Sequence, residues 1–355
     1  MNFRTSLIVV LAAFAWPSSG IAQDAGNVTE NAKLRRLRVI ATIPLPDSPP
    51  DNYYDYASVD QTAGKLFVST EDGVTAVDLS TNQATPRFVK APMVHAVLPL
   101  PDRRALSTSG TSDTAILFDT SSGSVIASIK TGRHPDGATF DKASGLAVVI
   151  NILGGSVTLI DPVKAIAVGE IQVGGLLEAG VTDARGLLYV NLLKGAKIAV
   201  IDIAARKVLK RYALPGCKEP TGLAIDRETD LLVAACGNGM AIALHAKDGK
   251  LAAIVTIGAG ADAMLFDGRR KVFFAPSGDA GTLSVLREVS GRHHSLVMDQ
   301  VVKTAVGART GALDTETGKV YLPVADEGEG TFLVEGHASP KHQLNTFRVL
   351  VVAAQ

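Results

Sequence analysis

The sequence predicts an all-β fold, a seven-bladed β-propeller with four antiparallel strands in each blade. From about residue 52 to the C-terminus, short runs rich in Val, Ile, Leu, Ala and Thr alternate with Gly, Asp and Pro. This pattern is typical of short strands joined by turns. The runs recur with a period near 42 residues, which is the length of a four-stranded propeller blade. After residue 22, no stretch shows the 3.6-residue apolar spacing of a helix.

The N-terminus reads as an export signal over residues 1–22. Arg4 lies in a short positive region, the apolar run Leu7–Trp16 follows, and small residues lead to Ala22. The run is too short to span a bilayer. We expect a cleaved Sec-type signal and a periplasmic or secreted protein with no membrane span after cleavage, the alternative being an uncleaved anchor. The polar residues 23–34 predict a flexible lead-in.

The first strand of the propeller has no partner before it in the sequence. It covers Leu37–Leu45, LRVIATIPL, and it resembles the outermost strands of later repeats. The last repeat ends with TFRVLV at Val351 and leaves only four residues for a further strand. We therefore expect the N-terminal strand to complete the last blade within a propeller domain of residues 35–355. This closure hides an otherwise open sheet edge.

The third strand of each repeat sets the register of the blades. Its last residues lie 41, 42, 41, 43 and 42 positions apart, and the seventh follows after 64. The longer gap predicts a loop-like insertion at about residues 326–345. An Asp at the end of these strands predicts an Asx-type turn into the fourth strand. The successive strands end at Asp78, Asp119, Asp161, Asp202, His245, Arg287 and Val351.

Composition excludes a strongly charged protein. The chain has 35 basic and 35 acidic residues, so its formal net charge is zero, and no global field favours nucleic acid or a membrane surface. Its mean hydropathy is +0.22 with 46% hydrophobic residues. Beyond the N-terminal signal, this excess fits strands that are buried on both faces.

The two cysteines predict a disulfide. Cys217 lies just before a first strand and Cys236 ends the following second strand, so an antiparallel hairpin brings both to the same end of one blade. In an oxidising compartment, a bridge closing roughly 20 residues would stabilise the fold by about 3 kcal/mol. The alternatives are two buried thiols or a metal pair.

Polar residues recur where the chain enters the first strand of each blade. In a propeller these segments converge on the central channel, so they predict a ligand site at its mouth. Thr221 is an alternative to Glu219 in this set. The candidates are Asp55, His95, His134, Asp136, Glu178, Glu219, Asp262 and Arg309.

The acidic character of this set suggests a cation. Carboxylates that share a small space repel one another unless a cation compensates. A divalent cation held by Asp136, Glu178 and Glu219 is one hypothesis, with Ca²⁺ or Mg²⁺ favoured by oxygen ligands and a transition metal by His95 or His134. The alternatives are a water-filled polar mouth and a small polar or cationic ligand. No cofactor motif is evident.

Several segments resemble the YVTN-type, YncE-like periplasmic propellers. They include LYVN at 188–191, HPDGATFD at 134–141, CKEPTGLAID at 217–226, ARTGALD at 308–314 and the terminal TFRVLVV. The likeness covers residues 35–355. It implies a seven-bladed fold and an exported binding or scaffold protein, with some members near quinoprotein or cytochrome systems. Single-stranded DNA binding in this group is not expected here, because no Trp follows Trp16 to stack on bases.

The leading functional prediction is a non-catalytic, monomeric binding or scaffold protein. It would bind a protein partner or a small polar ligand through the channel face. One alternative is a metal-dependent lactonase or lyase with His95 or His134 as a base, and no catalytic residue is assigned. The other alternative is an accessory subunit of a quinoprotein or cytochrome system.

Overall fold

The computed structural model describes residues 36–45, 53–289, 294–334 and 337–355. The predicted signal and lead-in, residues 1–22 and 23–34, lie outside this part of the chain. No helix in the described ranges is long and apolar enough to cross a membrane. Within the same ranges, one 3₁₀ helix, η1 (Gly110–Ser112), interrupts an otherwise all-β structure.

Seven four-stranded antiparallel sheets form the blades of a ring, as predicted. Within each blade we name the strands A to D from the channel outward. The first three blades are built from β2 (Tyr54–Asp60), β3 (Lys65–Thr70), β4 (Gly73–Asp78) and β5 (Gln83–Lys90); β6 (Val94–Leu100), β7 (Arg104–Ser109), β8 (Thr114–Asp119) and β9 (Val125–Lys130); and β10 (Pro135–Asp141), β11 (Leu146–Asn151), β12 (Ser156–Asp161) and β13 (Ile166–Gln172).

The next three blades repeat this up-and-down order. They comprise β14 (Leu177–Thr182), β15 (Leu187–Leu192), β16 (Lys197–Asp202) and β17 (Lys207–Ala213); β18 (Pro220–Asp226), β19 (Leu231–Cys236), β20 (Met240–His245) and β21 (Leu251–Thr256); and β22 (Leu265–Asp267), β23 (Val272–Ser277), β24 (Thr282–Val289) and β25 (Ser295–Lys303).

The seventh blade joins the two ends of the chain. Its strands are, from A to D, β26 (Ala312–Leu313), β27 (Val320–Val324), β30 (Arg348–Ala354) and β1 (Leu37–Pro44). The D strand β1 runs antiparallel to β30, from Leu37 opposite Ala354 to Pro44 opposite Arg348. Gln300 of blade 6 also accepts a hydrogen bond from the Leu37 amide and donates one to its carbonyl. The predicted closure by the N-terminal strand is therefore confirmed.

The middle strands hold the core. Strand β19 is buried at all six positions, whereas the outer strand β9 is exposed at most of its positions. Neighbouring blades cover both faces of the B and C strands, so these strands can be apolar at every residue. The apolar residues that raise the mean hydropathy beyond the predicted signal lie largely in these inter-blade layers.

The predicted loop insertion is a β-hairpin. Strands β28 (Glu327–Val334) and β29 (His337–His342) pair antiparallel as a separate two-stranded sheet. At its base, the Asp326 amide donates to Thr346 Oγ1 and Arg348 pairs with the Asp326 carboxylate. The Gly, Ser and Pro content suggests a loop, but the segment turns back on itself and satisfies backbone groups by pairing.

Asp side chains organise the turns at two levels. As predicted, C–D turns use Asx geometry, with Asp119 Oδ1 accepting from the Ser121 and Ser122 amides at 3.0 and 2.9 Å. A second series of Asp residues closes the A–B turns, and these turns were not predicted from the sequence. There, Asp60 Oδ1 accepts from the amides of residues 62 and 63. Buried carboxylates in this series are Asp60, Asp141, Asp183, Asp226, Asp267 and Asp314.

The predicted disulfide is confirmed. Cys217 and Cys236 are bonded, with a sequence separation of 19 residues. Pro220 at the start of β18 lies opposite Cys236 at the end of β19, so the bridge staples one end of blade 5. A disulfide of this kind suits an extracellular or secreted protein.

Candidate functional site

Equivalent positions of the A strands place a ring of side chains around the channel. In blades 1 to 4, the A–B pairing has a bulge of the same form, which begins after Tyr54, Val94, Pro135 or Leu177. The residue after each of these four lies inside the bulge, where a strand can re-aim a side chain. Continuing this register around the ring gives Asp55, His95, Asp136, Glu178, Thr221, Asp262 and Arg309.

Three of these residues form a buried cluster. His95 Nδ1 lies 2.8 Å from Asp55 Oδ2 and 3.2 Å from Asp136 Oδ1. The three side chains come from blades 1, 2 and 3, and the residues are only 4%, 1% and 6% exposed. One donor atom from each lies within 4.8 Å of the others. This Asp–His–Asp group could hold a metal ion.

The two His95 contacts in this cluster are at hydrogen-bond distance, and they are also compatible with two neighbouring ligands of one ion. Ligand atoms that share one ion at about 2.0–2.2 Å lie about 3–3.5 Å apart in octahedral or tetrahedral geometry. The two His95 contacts fall at or just below this separation. Tyr53 also donates its hydroxyl to Asp55 Oδ2 at 2.7 Å, which orients the carboxylate in the way that outer partners orient metal ligands.

His134 and a glycine pack beside the imidazole of His95. The two histidine rings are 5.3 Å apart at their centroids, and His134 has a left-handed backbone with φ of 59°. Its amide donates to Asp113 Oδ1 at 2.7 Å. A Cβ on Gly110 of η1 would lie 2.5 Å from His95 Nε2. Only glycine therefore lets this turn close over the ring.

Glu178 of blade 4 lies across the channel from Asp55 of blade 1. Tyr56, also of blade 1, donates its hydroxyl across the axis to Glu178 Oε1 at 3.1 Å. Burial raises the pKa of Glu178 well above its ordinary value, and the charges of Asp136, Asp262 and Asp55 raise it further. Without a cation beside it, Glu178 therefore favours its neutral, protonated form.

Asp262 has a cation partner in Arg309. Arg309 Nε lies 3.1 Å from Asp262 Oδ2, and its guanidinium lies over the rings of Tyr53 and Tyr54 at 5.6 and 5.3 Å. Although burial opposes its charge, Tyr53 and Asp262 hold the pKa of Arg309 above its ordinary value. Burial nevertheless raises the pKa of Asp262 above its ordinary value. The nearby charge of Arg309 offsets this rise only in part.

Glu219 does not join the ring. It is exposed and has a left-handed φ of 53°, so its side chain lies on the rim. Thr221 occupies the ring register instead, and its hydroxyl donates to the Ala261 carbonyl at 2.6 Å. Of the predicted metal ligands Asp136, Glu178 and Glu219, only Asp136 belongs to the Asp–His–Asp group.

Three contributors were missed in the sequence. Tyr53 lies two residues before Asp55 and Tyr56 one residue after it, and Gly110, in the same blade as His95, packs against both histidines. An aromatic residue on each side of a ring carboxylate is a signal that could have been noticed. Gly110 gave no such signal, because it reaches His95 only through the pairing of β6 with β7, which its neighbours in sequence do not show.

Comparisons with known proteins support the fold. No protein-family model matches the chain, and the search of curated proteins finds no match. Similar solved structures include Kuenenia stuttgartiensis hydrazine synthase, at 15% identity and a TM-score of 0.67, which covers 85% of this chain and 98% of that chain.

Two further structures give the same result. A chain of a mitotic checkpoint complex is 12% identical with a TM-score of 0.65, covering 91% of this chain and 96% of that one. U3-55K is 10% identical with a TM-score of 0.71, covering 88% and 98%. At these identities the likeness shows the propeller fold alone. The YVTN-type assignment stays a prediction.

Proposed function

We propose that this protein is an exported, non-catalytic binding protein that holds one divalent metal ion in the ring. The observation that carries the proposal is the buried group of Asp55, His95 and Asp136, in which one donor atom from each residue lies within 4.8 Å of the others. Two carboxylates and one imidazole suit a transition ion such as Zn²⁺ or Mn²⁺ better than Ca²⁺. The disulfide supports export into an oxidising compartment.

Burial of the cluster favours holding over turnover. The three donor residues are at most 6% exposed, and Tyr53, His134 and Gly110 surround them. Three protein donors leave further coordination positions on the ion, but a lactonase or lyase needs such a position to be open to substrate, and burial closes it here. A closed site instead suits an ion that stabilises the ring and shapes the face presented to a partner. Association with a protein partner, or with a quinoprotein or cytochrome system, stays a prediction.

The test is a titration of the metal-free protein with Zn²⁺ by calorimetry, alongside His95→Ala. We expect one site per chain in the wild type and at least a tenfold loss of affinity in the variant, since one of three ligands is removed. His245→Ala, at the end of β20 in blade 5, is the matched control and should bind as wild type. Equal binding by all three proteins would refute the proposal.

A further inference from the structure

The hairpin of β28 and β29 forms an arm that belongs to no blade of the described structure. It leaves blade 7 between β27 and β30. Its base is fixed, since the Gln343 amide donates to the Asp326 carbonyl at 2.9 Å. The His342 ring also lies 5.3 Å from the ring of Tyr54, the residue before Asp55. The arm therefore stands on the face that carries the ring.

The two edges of the arm differ in their hydrogen-bond donors. Pro340 in β29 lies opposite Thr331 in β28. Because proline has no N–H, the two residues form a non-hydrogen-bonded pair, whose backbone groups point away from the partner strand. Thr331, and Leu333 two positions later, therefore turn their N–H and C=O groups to the outer edge of β28. The outer edge of β29 lacks a donor at Pro340, which protects an edge strand from pairing.

The edge that keeps its donors is also the one turned to solvent. Glu327, Glu329 and Thr331 of β28 are exposed, whereas Lys341 and His342 of β29 are partly covered. Within the described residues, no strand pairs with the outer edge of β28. A two-stranded sheet is only marginally stable in water, and a third strand stabilises it. An extended segment can therefore add to β28.

The charge of the arm restricts which segment fits. Strand β28, EGEGTFLV, has two acidic residues and no basic one. Residues 326–345 have four acidic residues and one basic residue, a net charge of −3, and the pairing of Asp326 with Arg348 leaves −2. Like charges on paired strands destabilise a sheet, so two copies of β28 repel each other. A segment with Lys or Arg is attracted instead.

We propose that β28 is the docking edge for a protein partner, which adds an extended segment bearing Lys or Arg as a third strand. Main-chain hydrogen bonds at Thr331 and Leu333 supply affinity, and the exposed Glu327 and Glu329 select the basic segment. This inference rests on the binding role proposed above, because it names the surface that a partner uses. It does not depend on the metal ion.

The experiment measures the binding of three labelled eight-residue peptides to the wild-type protein by fluorescence anisotropy. One peptide alternates Lys with Val, the second alternates Glu with Val, and the third is the Lys–Val peptide with every backbone nitrogen methylated, which removes its donors. We expect the Lys–Val peptide to bind at least tenfold more tightly than either of the others. Equal binding of the methylated form, a preference for Glu–Val, or no binding of Lys–Val would overturn the proposal.

The double variant Glu327→Lys/Glu329→Lys then tests the selection by charge. Both residues are exposed, so the propeller should fold as in the wild type. We expect the variant to prefer the Glu–Val peptide by at least threefold, a reversal of the wild-type order. Glu170→Lys, on the exposed edge strand β13 of blade 3, is the matched control and should keep the wild-type order. An unchanged order in the double variant, or a reversal in the control, would contradict docking at β28.

Two further readouts separate this proposal from its alternatives. A wild-type dimer in sedimentation velocity that the Lys–Val peptide dissociates would assign β28 to a second copy of this chain and overturn the proposal. Zn²⁺ titration of the same samples reports on the metal group alone. Peptide binding without zinc binding would refute the metal proposal and support this one, and the opposite result would do the reverse.

Discussion

At the scale of single residues, the ring divides its charges among three different partners. His95 joins Asp55 and Asp136, Arg309 neutralises Asp262, and Glu178 accepts a hydrogen bond from the hydroxyl of Tyr56. The sequence shows five carboxylates at similar positions but cannot show this division. It depends on which side chains meet across the axis.

Gly110→Ala should disturb the metal group without changing any donor. The added Cβ would lie 2.5 Å from His95 Nε2, so the imidazole or the 3₁₀ turn must shift, at a cost of about 1–3 kcal/mol. We expect a lower Zn²⁺ affinity and a lower midpoint in urea unfolding. Gly268→Ala, where a Cβ meets Phe266 at an ordinary 3.5 Å, is the control. Wild-type affinity in Gly110→Ala would contradict this packing.

Glu178→Gln should stabilise the metal-free fold at high pH only. Because burial and neighbouring carboxylates raise the pKa of Glu178 in the folded state, the folded state keeps a proton that the unfolded state loses as pH rises. Stability therefore falls with pH between the ordinary pKa and the raised one.

The neutral amide escapes this loss and can still accept from Tyr56. We expect a gain of about 1–3 kcal/mol at pH 8 and none at pH 4, measured by urea unfolding. Glu170→Gln, on the exposed strand β13, should change neither value. A gain of equal size at both pH values would show that charge is not the cause.

At the scale of elements, the period of the C strands was the most reliable guide to where strands end. The predicted ends at Asp78, Asp119, Asp161, Asp202 and His245 all coincide with strand ends. Local turn chemistry and continuous burial fix these positions. The hairpin β28–β29 was not predicted, since its sequence has no clear alternation and its pairing is independent of any blade.

The closing strand β1 offers a matched pair of substitutions. Ile43 is 2% exposed and packs in the layer with Tyr321 and Val351, whereas Ile40 on the same strand is 41% exposed. Ile43→Ala should cost about 2–5 kcal/mol and Ile40→Ala less than about 1 kcal/mol. Chemical unfolding measures both. Similar small losses would mean that the strand does not hold the ring closed.

Removing the bridge in blade 5 should weaken the whole ring. The double variant Cys217→Ala/Cys236→Ala frees a loop of 19 residues in the unfolded chain, and we expect a loss of about 3 kcal/mol. Guanidinium unfolding with and without reductant is the measurement. Reductant should lower the stability of the wild type and leave the variant unchanged. A reductant effect of equal size on both would contradict the assignment.

At the scale of the whole molecule, closure of the ring brings the proposed metal ligands together. The A strands bring together residues that lie 40 or more positions apart, as in the contact between Asp55 and His95. A correct blade count was enough to predict that such residues converge. It was not enough to predict which of these side chains meet, because contacts across the axis such as that of Tyr56 with Glu178 depend on side-chain length and direction.

The measurement that tests the metal proposal most directly is anomalous diffraction at the zinc edge, from crystals grown with stoichiometric Zn²⁺. We expect one strong peak per chain, about 2.0–2.2 Å from His95 Nδ1 and from one carboxylate oxygen each of Asp55 and Asp136. A map with no peak among these three residues, or with zinc only at surface histidines, would contradict the account.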